Sequence, residues 1–170
     1  MEIRKISISD LEPLQKISVQ TFSETFSNVN SEEDMAKYLA GNLSLQKLES
    51  ELKNPNSEFY FAENGNQVAG YLKLNLGNAQ TENQDQTAVE IERIYVLKEY
   101  LGQKVGQVLF EKALEIARQR DASYIWLGVW EENHRALRFY EKNGFEVFGK
   151  HDFVLGNDKQ TDLMMKLNLK

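Results

Sequence analysis

The spacing of apolar and polar residues predicts helices in the first third of the chain, after one short strand. Residues 2–8 alternate in polarity, which predicts a first strand. Residues 9–12 (Ser-Asp-Leu-Glu) form a capping-box pattern before a helix that we expect to run to about Phe22. Two further helices are predicted, one starting near Asn30-Ser31 and one built on the leucines of residues 45–52.

Beyond residue 56 the period of the pattern changes from that of a helix to that of a strand. Residues 57–63 and 67–76 flank Asn64-Gly65, a strong signal for a β-hairpin. The remaining elements are predicted as a loop over 78–87, strands over 89–97, 124–130, 145–155 and 161–169, and helices over 105–120 and 133–143. This order predicts an α+β fold with one mixed sheet, antiparallel in its first part and crossed by helices later. We expect a single domain over residues 1–170, since no repeat or linker interrupts the pattern.

Composition limits the kinds of site and the classes of partner that the chain can have. The chain has no cysteine, which excludes disulfides, thiolate metal sites and a cysteine nucleophile, and its two histidines do not make a metal site. The net charge is −6, from 26 acidic and 20 basic residues, so we expect no nucleic-acid partner. The acidity suits a cationic substrate, although solubility explains it equally well. No apolar run approaches the ~20 residues of a membrane span, and we expect no membrane partner and a cytoplasmic protein.

A candidate anion site lies between the strand at 89–97 and the helix that begins at residue 105. Residues 101–106 (Leu-Gly-Gln-Lys-Val-Gly) form a short loop leading into the helix, whose free backbone N–H groups and dipole favour a phosphate. Gln107 follows Gly106, so the segment is not a Walker A loop. Taken alone, two glycines before a helix are more typical of an ordinary loop than of a phosphate site.

A second segment makes the interpretation specific. Asn133-His134-Arg135-Ala136-Leu137-Arg138-Phe139-Tyr140 and the following Gly144-Phe145 come directly after a buried strand. Together with the segment Glu90-Ile91-Glu92-Arg93-Ile94-Tyr95-Val96 and the loop at 101–106, this block resembles the Gcn5-related N-acetyltransferases (GNAT). Thr21-Phe22, Tyr38-Leu39, residues 125–131 and residues 160–164 extend the similarity over nearly the whole chain, towards bacterial PaiA-type spermidine/spermine acetyltransferases.

The resemblance implies the GNAT fold, with helices on both faces of the sheet, and acetyl-CoA as co-substrate without a metal. It implies that Tyr140 protonates the departing CoA thiolate, whereas the pattern alone favours a core tyrosine beside Phe139. Asn133 is suited to cap its helix, and the resemblance adds a hydrogen bond to the CoA arm. The residues that the resemblance assigns to CoA binding are Ile94, Tyr95, Val96, Leu101, Gly102, Gln103, Lys104, Val105, Gly106, Gln107, Asn133 and Tyr140.

The loop departs from the family pattern at two positions. The family has glutamine or arginine, then two variable residues, glycine, one variable residue, and glycine or alanine. Leu101 replaces the first residue and Lys104 replaces the first glycine, so only Gly106 matches. The main-chain N–H of Lys104 remains, and an ammonium near a diphosphate is favourable, provided that the local φ suits a residue with a Cβ.

A general base is needed because an amine near pKa 10 must lose its proton before it attacks. Glu90 and Glu92 are the candidates, because they alternate with Ile94 and Val96 along one strand. An equally good interpretation is a salt bridge, for example with Arg93. Neither His134 nor His151 is assigned a catalytic role, and the aromatic residues Phe22, Phe26 and Tyr38 are assigned to the core.

The resemblance implies direct transfer in a ternary complex from acetyl-CoA to a primary amine such as spermidine or spermine. Two alternatives stay open: another amine acceptor, such as a protein N-terminus or an aminoglycoside, and a CoA-binding regulator without turnover. The sequence also leaves a homodimer open.

Overall fold

The computed structural model describes residues 1–82 and 84–170, and it contains one seven-stranded sheet with the strand order β1-β2-β3-β4-β5-β7-β6. The strands are β1 (Glu2–Lys5), β2 (Ser57–Asn64), β3 (Gln67–Leu76), β4 (Val89–Val96), β5 (Tyr124–Trp130), β6 (Glu146–Leu155) and β7 (Asp158–Asn168). The helices are α1 (Leu11–Phe26), α2 (Glu32–Asn42), α3 (Leu45–Lys53), α4 (Val105–Gln119) and α5 (His134–Lys142), with short 3-10 turns at Ile8–Asp10, Gly77–Ala79 and Lys98–Tyr100. The predicted α+β fold with a mixed sheet is confirmed.

Several predicted boundaries differ from the observed ones. The first strand ends at Lys5, and the capping box is formed by Ser7 and Asp10 rather than by the residues at 9–12. Helix α1 continues to Phe26, because Phe22 and Phe26 are spaced by one helical turn and both are buried. Strand β7 begins at Asp158, since a two-residue turn at 156–157 closes the β6–β7 hairpin. Asn83, in the predicted loop at 78–87, lies outside the described residues.

The two faces of the sheet carry different helices. On one face, Leu109 of α4 packs beside Gly70 of β3, and Phe110 of α4 packs against Tyr140 of α5. On the other face, Glu51 of α3 forms an ion pair with Lys73 of β3. Among the described residues no helix is long and apolar enough to cross a membrane.

One pair of neighbouring strands is parallel, and this pair creates the opening at which the site lies. β4 pairs with β5 in parallel only from Val89 to Ile91, whereas β4 continues to Val96 and β5 to Trp130. The crossover between them is α4, as parallel neighbours require. β4 also has a bulge at Glu92. Arg93 and Ile91 pair with the consecutive residues Lys73 and Leu74 of β3, so Glu92 between them has no partner residue. The sheet therefore splits in a V at its centre.

Candidate active site

The V-shaped split exposes backbone groups of β4. Leu97 donates its N–H to Ala69 of β3, at 2.9 Å. Because successive N–H groups of a strand point to opposite sides, Tyr95 and Arg93 also face β3, while Ile94 and Val96 direct their N–H and C=O groups into the split. This edge can pair with an extended amide-bearing chain.

A cavity of about 280 Å³ passes through the split and joins the two faces of the sheet. Its lining includes the predicted residues Glu90, Glu92, Ile94, Tyr95, Asn133 and Tyr140. It also includes residues that the sequence analysis left unassigned or placed in the core: Phe22, Phe26, Tyr38, Thr81, Gly128, Trp130, His151, Phe153 and Asp162.

Tyr140 lies in α5 beside the split. Its ring is 6% exposed and packs edge-on against Phe110 and Phe139, with centroids 6.4 and 5.3 Å away. In the described part of the chain the hydroxyl has no hydrogen-bond partner, and it borders the cavity. Burial raises the pKa of Tyr140 above its ordinary value, so the hydroxyl keeps its proton at neutral pH. The geometry suits a proton donor.

Asn133 is the N-cap of α5, as predicted. Its side-chain oxygen accepts the N–H of Ala136 at 3.2 Å. The cap fixes the start of the helix on which Tyr140 lies two turns later.

The loop at 101–106 ends in a backbone conformation that is unusual for its residue. Lys104 is the N-cap of α4 and has φ +65°, in the left-handed region where a side chain costs about 1–2 kcal/mol. A glycine at this position would adopt the same conformation without that cost, which explains the glycine in the family pattern. Lys104 is exposed, so its ammonium is available to an anion at the helix start.

The first turn of α4 presents free backbone donors. The helical bonds begin with Val108, which donates to the carbonyl of Lys104 at 3.1 Å, so the N–H groups of residues 105–107 have no intrahelical acceptor. A Cβ placed on Gly106 would touch only Val96, at 3.8 Å, which is ordinary contact. The fold itself has room for a larger residue there, so the glycine suits close approach of a ligand.

The two candidate bases have opposite electrostatic surroundings. Glu92 accepts hydrogen bonds from Lys73 and Asn75, each at 2.7 Å, and forms an ion pair with Arg93 at 3.1 Å. Burial alone would raise the pKa of Glu92, but the charges of Arg93 and Lys73 and these hydrogen bonds lower it to about 2. This is the arrangement that the salt-bridge interpretation describes.

Glu90 is 3% exposed and has no ion pair among the described residues. It accepts hydrogen bonds from Asn75 at 3.0 Å and from the N–H and hydroxyl of Thr81 at 2.8 and 2.5 Å. Burial raises the pKa of Glu90 above its ordinary value, against the effect of these bonds. Of the two glutamates, Glu90 is the one whose pKa lies closer to neutrality.

His151 and Asp162 complete the cavity from the β6–β7 hairpin. His151 Nε2 lies 3.6 Å from Asp162 Oδ2, and its Nδ1 lies 3.2 Å from Glu82. No sequence pattern indicates this pair, because its members lie on two different strands and meet only through the register of the β6–β7 hairpin. His134 is exposed and outside the cavity. Over residues 1–82 and 84–170, no cluster of three acidic, histidine or cysteine side chains could hold a metal ion.

Comparisons with known proteins agree with this geometry. The sequence model of the acetyltransferase (GNAT) family matches residues 16–145. The chain is 45% identical, over 98% of its length and 96% of the relative's, to an uncharacterized N-acetyltransferase in the pepI 3′ region of Lactobacillus delbrueckii subsp. lactis. It is 28% identical to a spermidine N(1)-acetyltransferase of Thermoplasma acidophilum, over 86% of this chain and 89% of that one.

A solved structure shares the whole fold. The PaiA N-acetyltransferase from Thermoplasma acidophilum, in complex with coenzyme A, superposes with a TM-score of 0.79 and 27% identity over 98% of each chain. The family match, the split sheet and the donor-rich start of α4 agree with one another. The chain belongs to the GNAT family and is an acetyl-CoA-dependent N-acetyltransferase.

Proposed function

We propose that this enzyme acetylates a primary amine of a polyamine such as spermidine or spermine. The observation that carries the proposal is the acceptor side of the cavity, where three carboxylates (Glu90, Glu92 and Asp162) lie beside a cluster of aromatic rings. Carboxylates attract ammonium groups, and aromatic faces accept both cations and alkyl chains. The similarity to a spermidine N(1)-acetyltransferase supports the same substrate class.

Transfer is proposed to occur directly from the thioester to the amine. The amine loses a proton to water or to Glu90 and attacks the acetyl carbonyl carbon as the C–S bond breaks. The N–H of Ile94 polarises the carbonyl oxygen from the edge of β4. Tyr140 donates its proton to the leaving sulfur, and the products are the N-acetylamine and the CoA thiol.

Ile94 and Val96 form the edge of β4 that faces the pantetheine, Tyr95 lies between them, and Asn133 fixes the start of α5. Residues 101–107 hold the diphosphate through main-chain N–H groups and the ammonium of Lys104. With the diphosphate at α4 and the acyl group in the split, the acceptor enters from the opposite face, beside α1 and α2.

Glu90 is the better candidate for the base. A carboxylate of pKa about 2, such as Glu92, stays ionised but takes up a proton poorly, whereas a raised pKa favours proton acceptance near neutrality. Because Glu90 precedes Ile94 by four residues, water must carry the proton from the amine.

We expect Glu90→Gln to lower kcat by roughly 10²–10⁴-fold and to remove an acidic limb from the pH profile. In the wild type that limb lies above the ordinary range of a glutamate, because activity is lost as the pH falls through the raised pKa of Glu90.

Glu92→Gln should keep the limb and lower the free energy of unfolding by about 2–3 kcal/mol, since Lys73 and Arg93 lose a buried partner. Steady-state rates at pH 5–10 and urea unfolding measure the two effects. An unchanged limb in Glu90→Gln would exclude Glu90 as the base.

We expect spermidine to exceed butylamine in kcat/KM by about 10–100-fold at low salt. A preference of that size corresponds to about 1.4–2.8 kcal/mol, the range of hydrogen bonds between an ammonium group and the carboxylates of the acceptor side. The preference should shrink as salt is added, mostly through KM, because screening weakens these contacts. Initial rates for both amines at low and high ionic strength test the proposal, and equal kcat/KM at low salt would contradict the polyamine assignment.

A panel of acceptors separates the remaining alternatives. Release of free CoA thiol is measured with polyamines, mono-amines, an aminoglycoside and peptides with free N-termini. Turnover with peptides alone would favour a protein N-terminus as acceptor. Binding of acetyl-CoA without turnover on any acceptor would indicate a regulator.

A further inference from the structure

The floor of the acceptor side of the cavity has a gap in a row of large side chains. Trp126, Gly128 and Trp130 alternate along β5 and therefore share one face of the sheet. Trp126 is fully buried, with its indole N–H donated to Gln80 at 2.7 Å, and Trp130 packs against Phe26 with centroids 5.3 Å apart. Between these two rings, Gly128 leaves a hollow that borders the cavity.

Two polar side chains of the β6–β7 hairpin reach this hollow. A Cβ on Gly128 would come within 3.2 Å of His151 Cε1 and 3.4 Å of Asp162 Oδ2. A methyl group at residue 128 would press against both side chains and displace the Asp162 carboxylate from this position.

Asp162 differs from the other carboxylates of the cavity in having unused acceptor capacity. Glu90 accepts three hydrogen bonds, and Glu92 is neutralised by two cations. Asp162 accepts no hydrogen bond from the described residues, and the imidazole of His151 stays at 3.6 Å. Its side chain is 16% exposed, so its accessible surface is the part that faces the cavity. Such a carboxylate is incompletely paired until a cation arrives.

The position of the hollow suits the second nitrogen of an acceptor. The pairing of Ile91 with Leu127 places Gly128 level with the bulge at Glu92, two residues before Ile94. Two residues of strand span about 7 Å along β4, and paired strands already lie about 4.8 Å apart, so the hollow is within reach of a chain of several methylene groups between two nitrogens. A reacting amine at Ile94 would therefore bring the next nitrogen of the acceptor to the hollow.

The walls above the hollow suit the methylene groups of such a chain. Phe22 and Tyr38 stack at 4.2 Å, and Phe153 lies 5.9 Å from Phe26 and 5.8 Å from Tyr38. These rings line the cavity and supply apolar surface and faces that attract an ammonium.

We infer that Asp162, positioned by His151 over Gly128, binds the second ammonium group of a diamine or polyamine acceptor and so determines the preference over mono-amines. The inference rests on the proposed function, and it assigns the enzyme's preference for polyamines over mono-amines to one carboxylate. Asp162 has no part in activating the reacting amine, and the aromatic rings hold the intervening methylenes.

The test compares Asp162→Asn with wild type on butylamine, 1,4-diaminobutane and spermidine at saturating acetyl-CoA. The kcat/KM for the diamine and for spermidine should fall by roughly 10–100-fold, because a charged hydrogen bond becomes a neutral one. The kcat/KM for butylamine should stay within about twofold of the wild-type value. Asp152→Asn is the matched control, because it removes the same charge from the same hairpin at an exposed position. It should leave all three amines unaffected. Gly128→Ala, which narrows the hollow, should reproduce the selective loss.

Each other outcome has a definite meaning. If Asp162→Asn weakens all three amines equally, Asp162 serves the reacting nitrogen and the inference is overturned. If the wild type prefers the polyamine and Asp162→Asn keeps that preference, the inference fails while the proposed function stands. If the wild type turns over other amines but neither acetylates spermidine nor binds it in calorimetry with CoA present, the proposed function fails and the second-ammonium site fails with it.

Discussion

Replacing Tyr140 with phenylalanine is expected to lower kcat by roughly 10²–10⁴-fold, the usual contribution of a positioned general acid. The departing thiolate needs a proton, and the Tyr140 hydroxyl borders the split with no competing partner in the described residues. Because burial raises the pKa of Tyr140, the donor stays protonated throughout the neutral range. The phenylalanine ring fills the same space against Phe110 and Phe139, so KM for acetyl-CoA should change little.

The control for this substitution is Tyr60→Phe. Tyr60 is equally buried, at 6% exposure, and its hydroxyl donates to Glu58 in β2, away from the cavity. Its loss should reduce stability by about 1 kcal/mol and leave kcat unchanged. Rapid-quench rates of acetyl transfer, measured alongside kcat, distinguish a slower chemical step from slower product release. A kcat within about twofold of wild type for Tyr140→Phe would leave Tyr140 as a packing residue only.

The fold could be predicted from sequence because its signals are local. The helical spacing of α4, the Asn64-Gly65 turn of the β2–β3 hairpin and the Asn133 cap of α5 each depend on a few neighbouring residues. The residues proposed for CoA binding could be named from the sequence for the same reason, since they lie on one strand, one loop and one helix start. For Lys104 the sequence indicates only that the local φ must suit a residue with a Cβ. Its left-handed φ is visible only in the structure, because no residue pattern indicates it.

The acceptor half of the site was not predictable from the pattern. His151 and Asp162 face each other across β6 and β7, and Gly128 adds its hollow from β5. Strand register brings these residues together, and register is a tertiary property that one sequence does not reveal. His151 consequently had no visible partner, and Phe22, Phe26 and Tyr38 were assigned to the core although they also line the cavity.

The bulge in β4 explains why the alternation of residues along the strand did not reveal that Glu90 and Glu92 have different surroundings. A regular strand would place Glu90 and Glu92 on one face in equivalent surroundings. The extra residue at Glu92 breaks that equivalence and turns its carboxylate towards Lys73 and Arg93. Glu90 stays in the regular part of the strand with neutral donors.

Gly106→Asp is expected to raise the dissociation constant of acetyl-CoA by roughly 100-fold or more. An aspartate here would place a negative charge within about 5 Å of the bound diphosphate, and at an effective dielectric constant of 20 each unit of charge at that distance costs about 3 kcal/mol. The carboxylate would also cap the free N–H groups of residues 105–107, which the diphosphate needs.

Gly106→Ala separates the effect of the added charge on acetyl-CoA binding from the effect of the added side-chain volume. The added methyl group meets only Val96, at 3.8 Å, so the free energy of unfolding should not fall and the dissociation constant should rise far less than in Gly106→Asp. Calorimetric titration of both variants with acetyl-CoA at two salt concentrations measures the two effects, and the charge effect alone should weaken as salt is added. Wild-type affinity in Gly106→Asp would place the diphosphate elsewhere than at the start of α4, because a like charge about 5 Å away would weaken its binding.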